Sequence, residues 1–402
     1  QDNQSPYIKD TLVPVSGFEP VPLGSRSHCT NLQQKINDFY NNRMGYLNTE
    51  LNDEIFSSTS VYTGSTGIAF YYYTCGTSKD NLNDKLIKKA LKYINLDKIK
   101  NKRISFLCGD AGPLALAAII AYKLGEQRPH ELPFYKDIVQ RLLQLECLAE
   151  SSPDELLYGN VGYLYALAFV NHECNKEIIP IIKTILHSGK NLSAKLKCPS
   201  PLAFKWHDKF YYGGAHGMAG ILYILLQCRE YIEPKDLEEK VKPSIDWLIQ
   251  EQYPSGNFPS SQGSPEDRLV QWCHGAPGFV PLLLLSHKIF KEEKYMSQAL
   301  KCGEVVWTRG LCSKGFSICH GVCGNAYTFI QLYQDTKDPK YLHRLACFAD
   351  WLVTSPSSPI EREQHKPDRP ASLFEGIAGQ LYFINDLNNI MKAKFPAYTI
   401  KV

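Results

Sequence analysis

Two helical patterns of hydrophobic residues alternate along this sequence. In the first, apolar residues recur every three or four positions, which predicts an amphipathic helix with one buried face. The segments with this pattern include residues 85–96, 237–249, 295–306 and 341–352. In the second, apolar residues fill nearly every position, as in residues 114–121 and 279–285, so the helix must be buried on all sides. The alternation typical of strands is scarce, and we expect a mostly helical protein.

A Gly-x-x-Gly pair opens each fully apolar segment, and this pair occurs seven times. The first glycines of the pairs are Gly64, Gly109, Gly159, Gly217, Gly275, Gly321 and Gly376. Repeats of this length are single supersecondary units that bury their apolar faces against their neighbours. We therefore predict an all-α protein whose seven repeats form an α/α toroid, a double-layered helical barrel with seven inner and seven outer helices. Residues 59–402 would form this single domain, and residues 1–58 an N-terminal segment packed on the barrel.

Composition and charge exclude several classes of protein. The apolar runs extend for about eight residues, whereas a membrane-spanning helix needs about 20, so we expect no transmembrane segment. The 44 basic and 41 acidic residues nearly balance, and no basic stripe stands out, which argues against nucleic-acid binding. The 13 cysteines are odd in number and scattered, and no secretory signal pattern opens the chain. We expect a cytoplasmic location, with a peripheral place at the membrane as the second possibility.

Repeat equivalence brings residues that are distant in sequence close together in space. The position before the first glycine of each pair, here called the pre-glycine position, would form a ring at one mouth of the barrel. It holds Thr63, Cys108, Tyr158, His216, His274, His320 and Glu375. One position earlier, Cys273 and Cys319 match each other in neighbouring repeats, so their thiols should lie side by side.

Two thiolates and one imidazole suit Zn²⁺, and three protein ligands leave the open fourth position of a catalytic zinc site. The residues alone leave the choice of imidazole open between His274 and His320. If both histidines were ligands, the site would be closed and structural.

These motifs resemble those of the lanthionine synthetase C-like proteins, the eukaryotic relatives of bacterial lantibiotic cyclases. The resemblance extends from about residue 60 to Ala397. It rests on the segments Phe106–Ala115, Ala215–Gly220, Trp272–Gly278, Cys319–Tyr327 and Ser372–Gly379.

The resemblance also implies roles for individual residues. It implies zinc bound by Cys273, Cys319 and His320, and it matches His216 to a histidine that transfers a proton. Lys314 matches a basic residue that binds glutathione. Where the family has an arginine before the last motif, this chain aligns His365, with Arg369 nearby as the candidate anchor. For Asp110 the residues alone allow three interpretations, a catalytic orienting group, a ligand-binding group or a helix N-cap.

The chemistry of these residues favours activation of a thiol. Metal coordination lowers a thiol pKa from about 8.5, and an electron-rich ligand set leaves the thiolate nucleophilic. Its addition to a dehydroamino acid requires protonation at carbon, for which histidine is suited. We predict a zinc-dependent enzyme that adds glutathione, as co-substrate, to dehydroalanine or dehydrobutyrine in dehydrated peptides or proteins.

Two other classes of function stay open. One is a non-catalytic adaptor or redox sensor that binds zinc and glutathione and contacts signalling proteins, for which residues 356–359 offer a weak SH3-ligand motif. The other is a different α/α-toroid enzyme, such as a zinc prenyltransferase or a glycosidase. A glycosidase would need a pair of carboxylates, whereas the pre-glycine positions offer mainly histidine and cysteine.

Overall fold

The computed structural model of the chain describes residues 30–49, 54–174, 181–311, 314–354 and 367–402. The longer α-helices of these residues are, in chain order, α1 (Thr30–Thr49), α2 (Ser65–Thr77), α3 (Asp84–Leu91), α4 (Ala111–Leu124), α5 (Tyr135–Gln144), α6 (Asn160–Cys174), α7 (Ile182–Leu196), α8 (Met218–Gln227), α9 (Lys242–Ile249), α10 (Ala276–Phe290), α11 (Glu293–Arg309), α12 (Val322–Thr336), α13 (Pro339–Thr354) and α14 (Ile377–Asp386). A π-helical turn, Leu237–Val241, precedes α9. None of these helices combines the length and the hydropathy that crossing a lipid bilayer requires.

Every one of the seven glycine pairs opens a helix, as predicted. These motif helices are α2, α4, α6, α8, α10, α12 and α14. Their side chains are buried nearly all round, so that each residue from Leu114 to Ala121 in α4 is at most 3% exposed. The intervening helices bury one face only, as α11 does with Tyr295, Ala299 and Val306.

The second glycine of the pair is required because a carbonyl oxygen crosses close above it. A Cβ atom built there would lie 1.9–2.3 Å from the carbonyl oxygen of the residue six positions earlier in five of the motifs. At Gly220, for example, the distance to the Gly214 oxygen would be 2.1 Å. No side chain fits at such a separation, so the loop can fold back onto the start of the helix only where glycine stands.

The described residues divide into two compact units. In the unit of residues 52–250 and 396–401, the motif helices α2, α4, α6 and α8 contact one another in chain order. The amphipathic helices α3, α5, α7 and α9 each pack on the motif helix before them. The C-terminal residues 396–401 join this unit, where the Gln227 side chain donates to the Tyr398 carbonyl and accepts from the Ile400 N–H.

The other unit, which includes Thr30–Thr49 and the described part of residues 251–395, holds α10, α12 and α14 with their partners α11 and α13. Helix α1 packs on both α13 and α14, where Lys35 pairs with Asp350 at 3.3 Å and Arg43 donates to the Gln380 side chain at 3.2 Å. Helix α1 therefore serves as the amphipathic partner of the last motif helix. Residues 1–29 lie outside the described residues, and the boundary at residue 58 stays a prediction.

Candidate active site

Backbone hydrogen bonds align neighbouring motifs at equivalent positions. The Cys273 N–H donates to the Cys319 carbonyl at 3.3 Å, and the Cys319 N–H donates to the Phe374 carbonyl at 3.0 Å. In the other unit, the Tyr62 N–H donates to the Leu107 carbonyl at 2.9 Å in the same register. This ladder explains why cysteines that match in sequence lie next to each other in space.

Three potential metal ligands meet where this ladder joins the fifth and sixth motifs. The Cys273 and Cys319 sulfurs and a ring nitrogen of His320 all lie within 4.8 Å of one another. Both cysteines are buried, at 7% and 3% exposed, whereas His320 is half-buried. Gln271 donates its side-chain N–H to the Cys273 sulfur at 3.2 Å. Two sulfurs and an imidazole at this separation fit a zinc ion, and His274 falls outside the cluster.

His216 is held by a buried carboxylate that the sequence analysis did not single out. Its Nδ1 lies 2.7 Å from the Glu155 carboxylate, which is only 1% exposed. The same carboxylate accepts the N–H groups of Leu157 at 3.1 Å and Tyr158 at 2.5 Å. Because a carboxylate only accepts hydrogen bonds, this contact fixes a proton on Nδ1.

Two aromatic side chains restrain the His216 ring from its face. The Trp206 ring stacks on it with centroids 3.8 Å apart and planes 2° apart. Tyr158 stacks with Trp206 at 5.7 Å. Trp206 projects from a tight turn that closes with reciprocal backbone bonds to Lys209. We call Tyr158, Trp206 and His216 the aromatic stack. It fixes both the position and the tilt of the imidazole.

Asp110 is neither a side-chain N-cap nor a neighbour that hydrogen-bonds to His216. Its carboxylate accepts the backbone N–H groups of Lys102 at 2.9 Å and Arg103 at 3.4 Å, and its own N–H donates to the Arg103 carbonyl. No side-chain capping bond forms at the start of α4. Asp110 thus fixes the loop before its motif, and its catalytic role stays a prediction.

The two candidate glutathione anchors lie in loops before the sixth and seventh motifs. Lys314 occupies a half-buried turn next to Gly315, whose carbonyl accepts the Val322 N–H. Arg369 is half-buried, and its carbonyl accepts the Ser372 N–H at 3.0 Å. His365 and residues 356–359 lie outside the described residues.

Glu375 is the pre-glycine residue of the seventh motif and is half-buried. Burial raises its pKa above the ordinary value, and the charge of Asp368 raises it further. The role of Glu375 stays open.

A third position of the repeat could have identified Glu155 and Gln271. Four residues before the first glycine, the motifs carry Ser60, Ser105, Glu155, Gly213, Gln271, Ser317 and Ser372 in order. The serines accept the N–H of the pre-glycine residue, as Ser317 does from His320 at 3.3 Å and Ser372 from Glu375 at 3.3 Å. The two long polar residues in this column are the ones that reach His216 and the Cys273 sulfur.

Sequence comparison identifies the family. The family model of the lanthionine synthetase C-like protein matches residues 56–400. The chain belongs to the lanthionine synthetase C-like family. It is 40% identical over 353 residues to the Danio rerio protein named glutathione S-transferase LANCL1, with 84% of each chain covered. It is 33% identical over 362 residues to the Arabidopsis thaliana LanC-like protein GCL1, covering 85% of this chain and 81% of that one.

A solved structure shares the fold of this lanthionine synthetase C-like chain. Nisin cyclase matches with a TM-score of 0.58 at 18% identity, over 89% of this chain and 94% of its own. At this identity the match shows the fold alone. It confirms the predicted fold class, an all-α protein of the α/α-toroid type.

Proposed function

We propose that this chain is a zinc-dependent enzyme that adds the glutathione thiol to dehydroalanine or dehydrobutyrine residues of peptides or proteins. The observation that carries the proposal is the cluster of Cys273, Cys319 and His320, with ligand atoms within 4.8 Å and both cysteines buried. The name of the Danio rerio relative supports a glutathione transferase. Membership of the family that includes cyclases supports carbon–sulfur bond formation.

Cys273, Cys319 and His320 would hold the zinc ion, and Gln271 would orient the Cys273 sulfur through its side-chain N–H. When bound, Zn²⁺ lowers the pKa of a thiol and so makes a nucleophile available at neutral pH. The protein supplies an apolar, buried setting for the two cysteines, which strengthens electrostatic interactions in the site.

His216 would complete the addition by delivering a proton. The glutathione thiol gives its proton to the surrounding water, its sulfur then bonds to the β-carbon of the dehydroamino acid, and the electron pair of the double bond moves towards the α-carbon. That carbon then takes one proton, so the thiol adds across the double bond without a leaving group. Glu155 keeps Nδ1 occupied, and the aromatic stack holds the ring still, so that Nε2 of His216 acts as the acid.

Lys314 and Arg369 would bind the carboxylates of glutathione. Both are half-buried cationic side chains in loops that lead into motifs of the unit containing the zinc cluster. Charge-assisted hydrogen bonds between such groups and carboxylates are about twice as strong as neutral ones. Their expected effect is on the KM for glutathione rather than on the addition step.

The test is a metal analysis combined with mass spectrometry. The purified chain is incubated with glutathione and a dehydrobutyrine peptide, and we expect bound zinc and a product of the summed mass. Cys319→Ala should lose both, whereas Cys147→Ala, at an exposed position, should keep both. Full turnover by Cys319→Ala would refute the metal mechanism. Zinc and glutathione binding without product would favour the non-catalytic adaptor instead.

A further inference from the structure

The near-balanced total charge conceals a local excess of positive charge. Residues 85–103 hold eight basic residues and one acidic residue, a net charge of +7, whereas the whole chain carries +3. The expectation that no basic stripe stands out is therefore wrong for this segment. Most of its cationic side chains are exposed, including Lys102 and Arg103 at its end.

The end of this segment lies beside the aromatic stack. The Asp110 carboxylate accepts hydrogen bonds from the backbone N–H groups of Lys102 and Arg103 and so fixes this end of the segment. Two residues after Arg103, the Ser105 hydroxyl donates to the Leu157 carbonyl at 2.5 Å, which brings the end of this segment next to the loop that carries Tyr158. Tyr158 in turn stacks with Trp206.

Further basic residues flank Trp206 in the chain. Lys205 and Lys209 are exposed and bracket the turn that carries Trp206. We call Lys102, Arg103, Lys205 and Lys209 the basic rim. None of these four side chains has a carboxylate within ion-pairing distance among the described residues.

The carboxylates in the loops around the basic rim are mostly engaged with protein groups, and Asp154 is one of them, since it accepts from the Ser188 hydroxyl at 2.7 Å. Glu155 is buried against His216, and the Asp110 carboxylate accepts two backbone N–H groups. Asp208 is the exposed acid of the turn. Four cations against one exposed carboxylate leave the surface around the stack positive.

We propose that the basic rim binds carboxylate side chains that flank the dehydroamino acid in a peptide substrate, and that acidic peptides are therefore preferred. This inference rests on the proposed function. The four charges are distributed over two separate loops, which suits an extended segment with several carboxylates better than one small anion. Exposed charges of this kind affect mainly the rate of substrate association and the KM, and salt screens their effect.

The experiment compares two dehydrobutyrine peptides that differ only by Glu→Gln exchanges on both sides of the dehydro residue. We expect the acidic peptide to have a kcat/KM about tenfold higher at low salt, which corresponds to about 1.4 kcal/mol shared among several exposed ion pairs. This ratio should fall towards one in the Lys102→Gln/Arg103→Gln/Lys205→Gln variant, and also at high salt in the unmodified protein.

A matched control removes the same number of charges elsewhere on the same unit. Lys190, Lys195 and Lys235 are exposed, and their triple exchange to Gln should leave the acidic-to-neutral ratio unchanged. Melting temperatures of both triple variants verify that each is folded.

The experiment distinguishes acidic peptides from other ligands of the basic rim. Equal kcat/KM for the two peptides would overturn the inference while leaving the proposed function intact, whereas absence of product from both would overturn the proposed function itself. If the rim variant instead raised the KM for glutathione and left the peptide ratio unchanged, the rim would belong to glutathione. Binding of phosphatidylserine vesicles or duplex DNA that is lost in the rim variant, with equal turnover of the peptides, would likewise refute a peptide-binding role.

Discussion

Replacement of Glu155 by glutamine tests the proton-transfer proposal with a nearly isosteric change. The carboxylate serves three donors, the Leu157 and Tyr158 N–H groups and Nδ1 of His216. One oxygen accepts from Tyr158, and the other accepts from both Leu157 and His216. The amide of glutamine has a single acceptor oxygen, so either the loop or the imidazole loses its partner.

The size of the effect follows from the geometry. The contact to Nδ1 measures 2.7 Å and lies on a carboxylate that is 1% exposed, so solvent does not screen it. A hydrogen bond to a charged group contributes about 1.5–3 kcal/mol, which corresponds to a factor of about 10 to 150 in rate. We expect kcat for glutathione addition to fall by that factor for Glu155→Gln, with much smaller changes in the KM values for peptide and glutathione.

The assay measures kcat in H₂O and in D₂O. If protonation of the α-carbon becomes slower, the solvent isotope effect on kcat should increase in Glu155→Gln, which a simple loss of stability would not produce. Glu155→Asp keeps the charge and should recover part of the rate, and the exposed Glu150→Gln serves as the control. An unchanged kcat in folded Glu155→Gln would refute the assignment of His216 and Glu155 as a working pair.

Three further predictions concern the metal, the motif and a buried acid. Cys319→Ser should lower the zinc content measured by atomic emission to near zero, whereas Cys147→Ser should retain it. Gly220→Ala should lower the free energy of unfolding in urea by about 2 kcal/mol or more, because its Cβ would lie 2.1 Å from a carbonyl oxygen. Gly45→Ala is the control and should be neutral or slightly stabilising, because a Cβ there would have nothing within 4 Å. Burial raises the pKa of Asp386 to about 7, so the folded state keeps a proton that the unfolded state releases above pH 3.8. The contribution of Asp386 to stability should therefore fall by at most about 1.4 kcal/mol per pH unit as pH rises from about 4 to about 7, and Asp386→Asn should make the measured pH dependence of unfolding less negative by that amount.

The alignment of the seven repeats predicted the contacts between residues that occupy the same position in neighbouring motifs. Cys273 and Cys319 lie together because the backbone ladder joins the same position of successive motifs, so their sequence equivalence predicts their adjacency. Glu155 was missed because its contact joins two different positions of the repeat, one in the third motif and one in the fourth.

The remaining features were not predicted from the sequence, either because a local pattern allowed more than one interpretation or because the contacting residues are far apart in the chain. Asp110 was ambiguous because an aspartate before a helix can cap that helix or clamp the preceding loop, and only the loop geometry decides between them. The packing of α1 on α13 and α14 could not be predicted, because its contacts join residues more than 300 positions apart. Residues 85–103 were overlooked because a chain-wide charge total averages over local segments.

The position of α1 beside the last motif helix has a consequence for how the chain is made. The first described helix leaves the ribosome long before its partners, since the Lys35–Asp350 and Arg43–Gln380 contacts span 315 and 337 residues. Until then Ile36, Phe39 and Leu47, each at most 5% exposed in the folded protein, lack their native apolar cover. Closure of so long a loop is slow, so this step should come last in folding. A circular permutant that places α1 after α14 would make the last repeat local, and it should fold faster with little change in equilibrium stability.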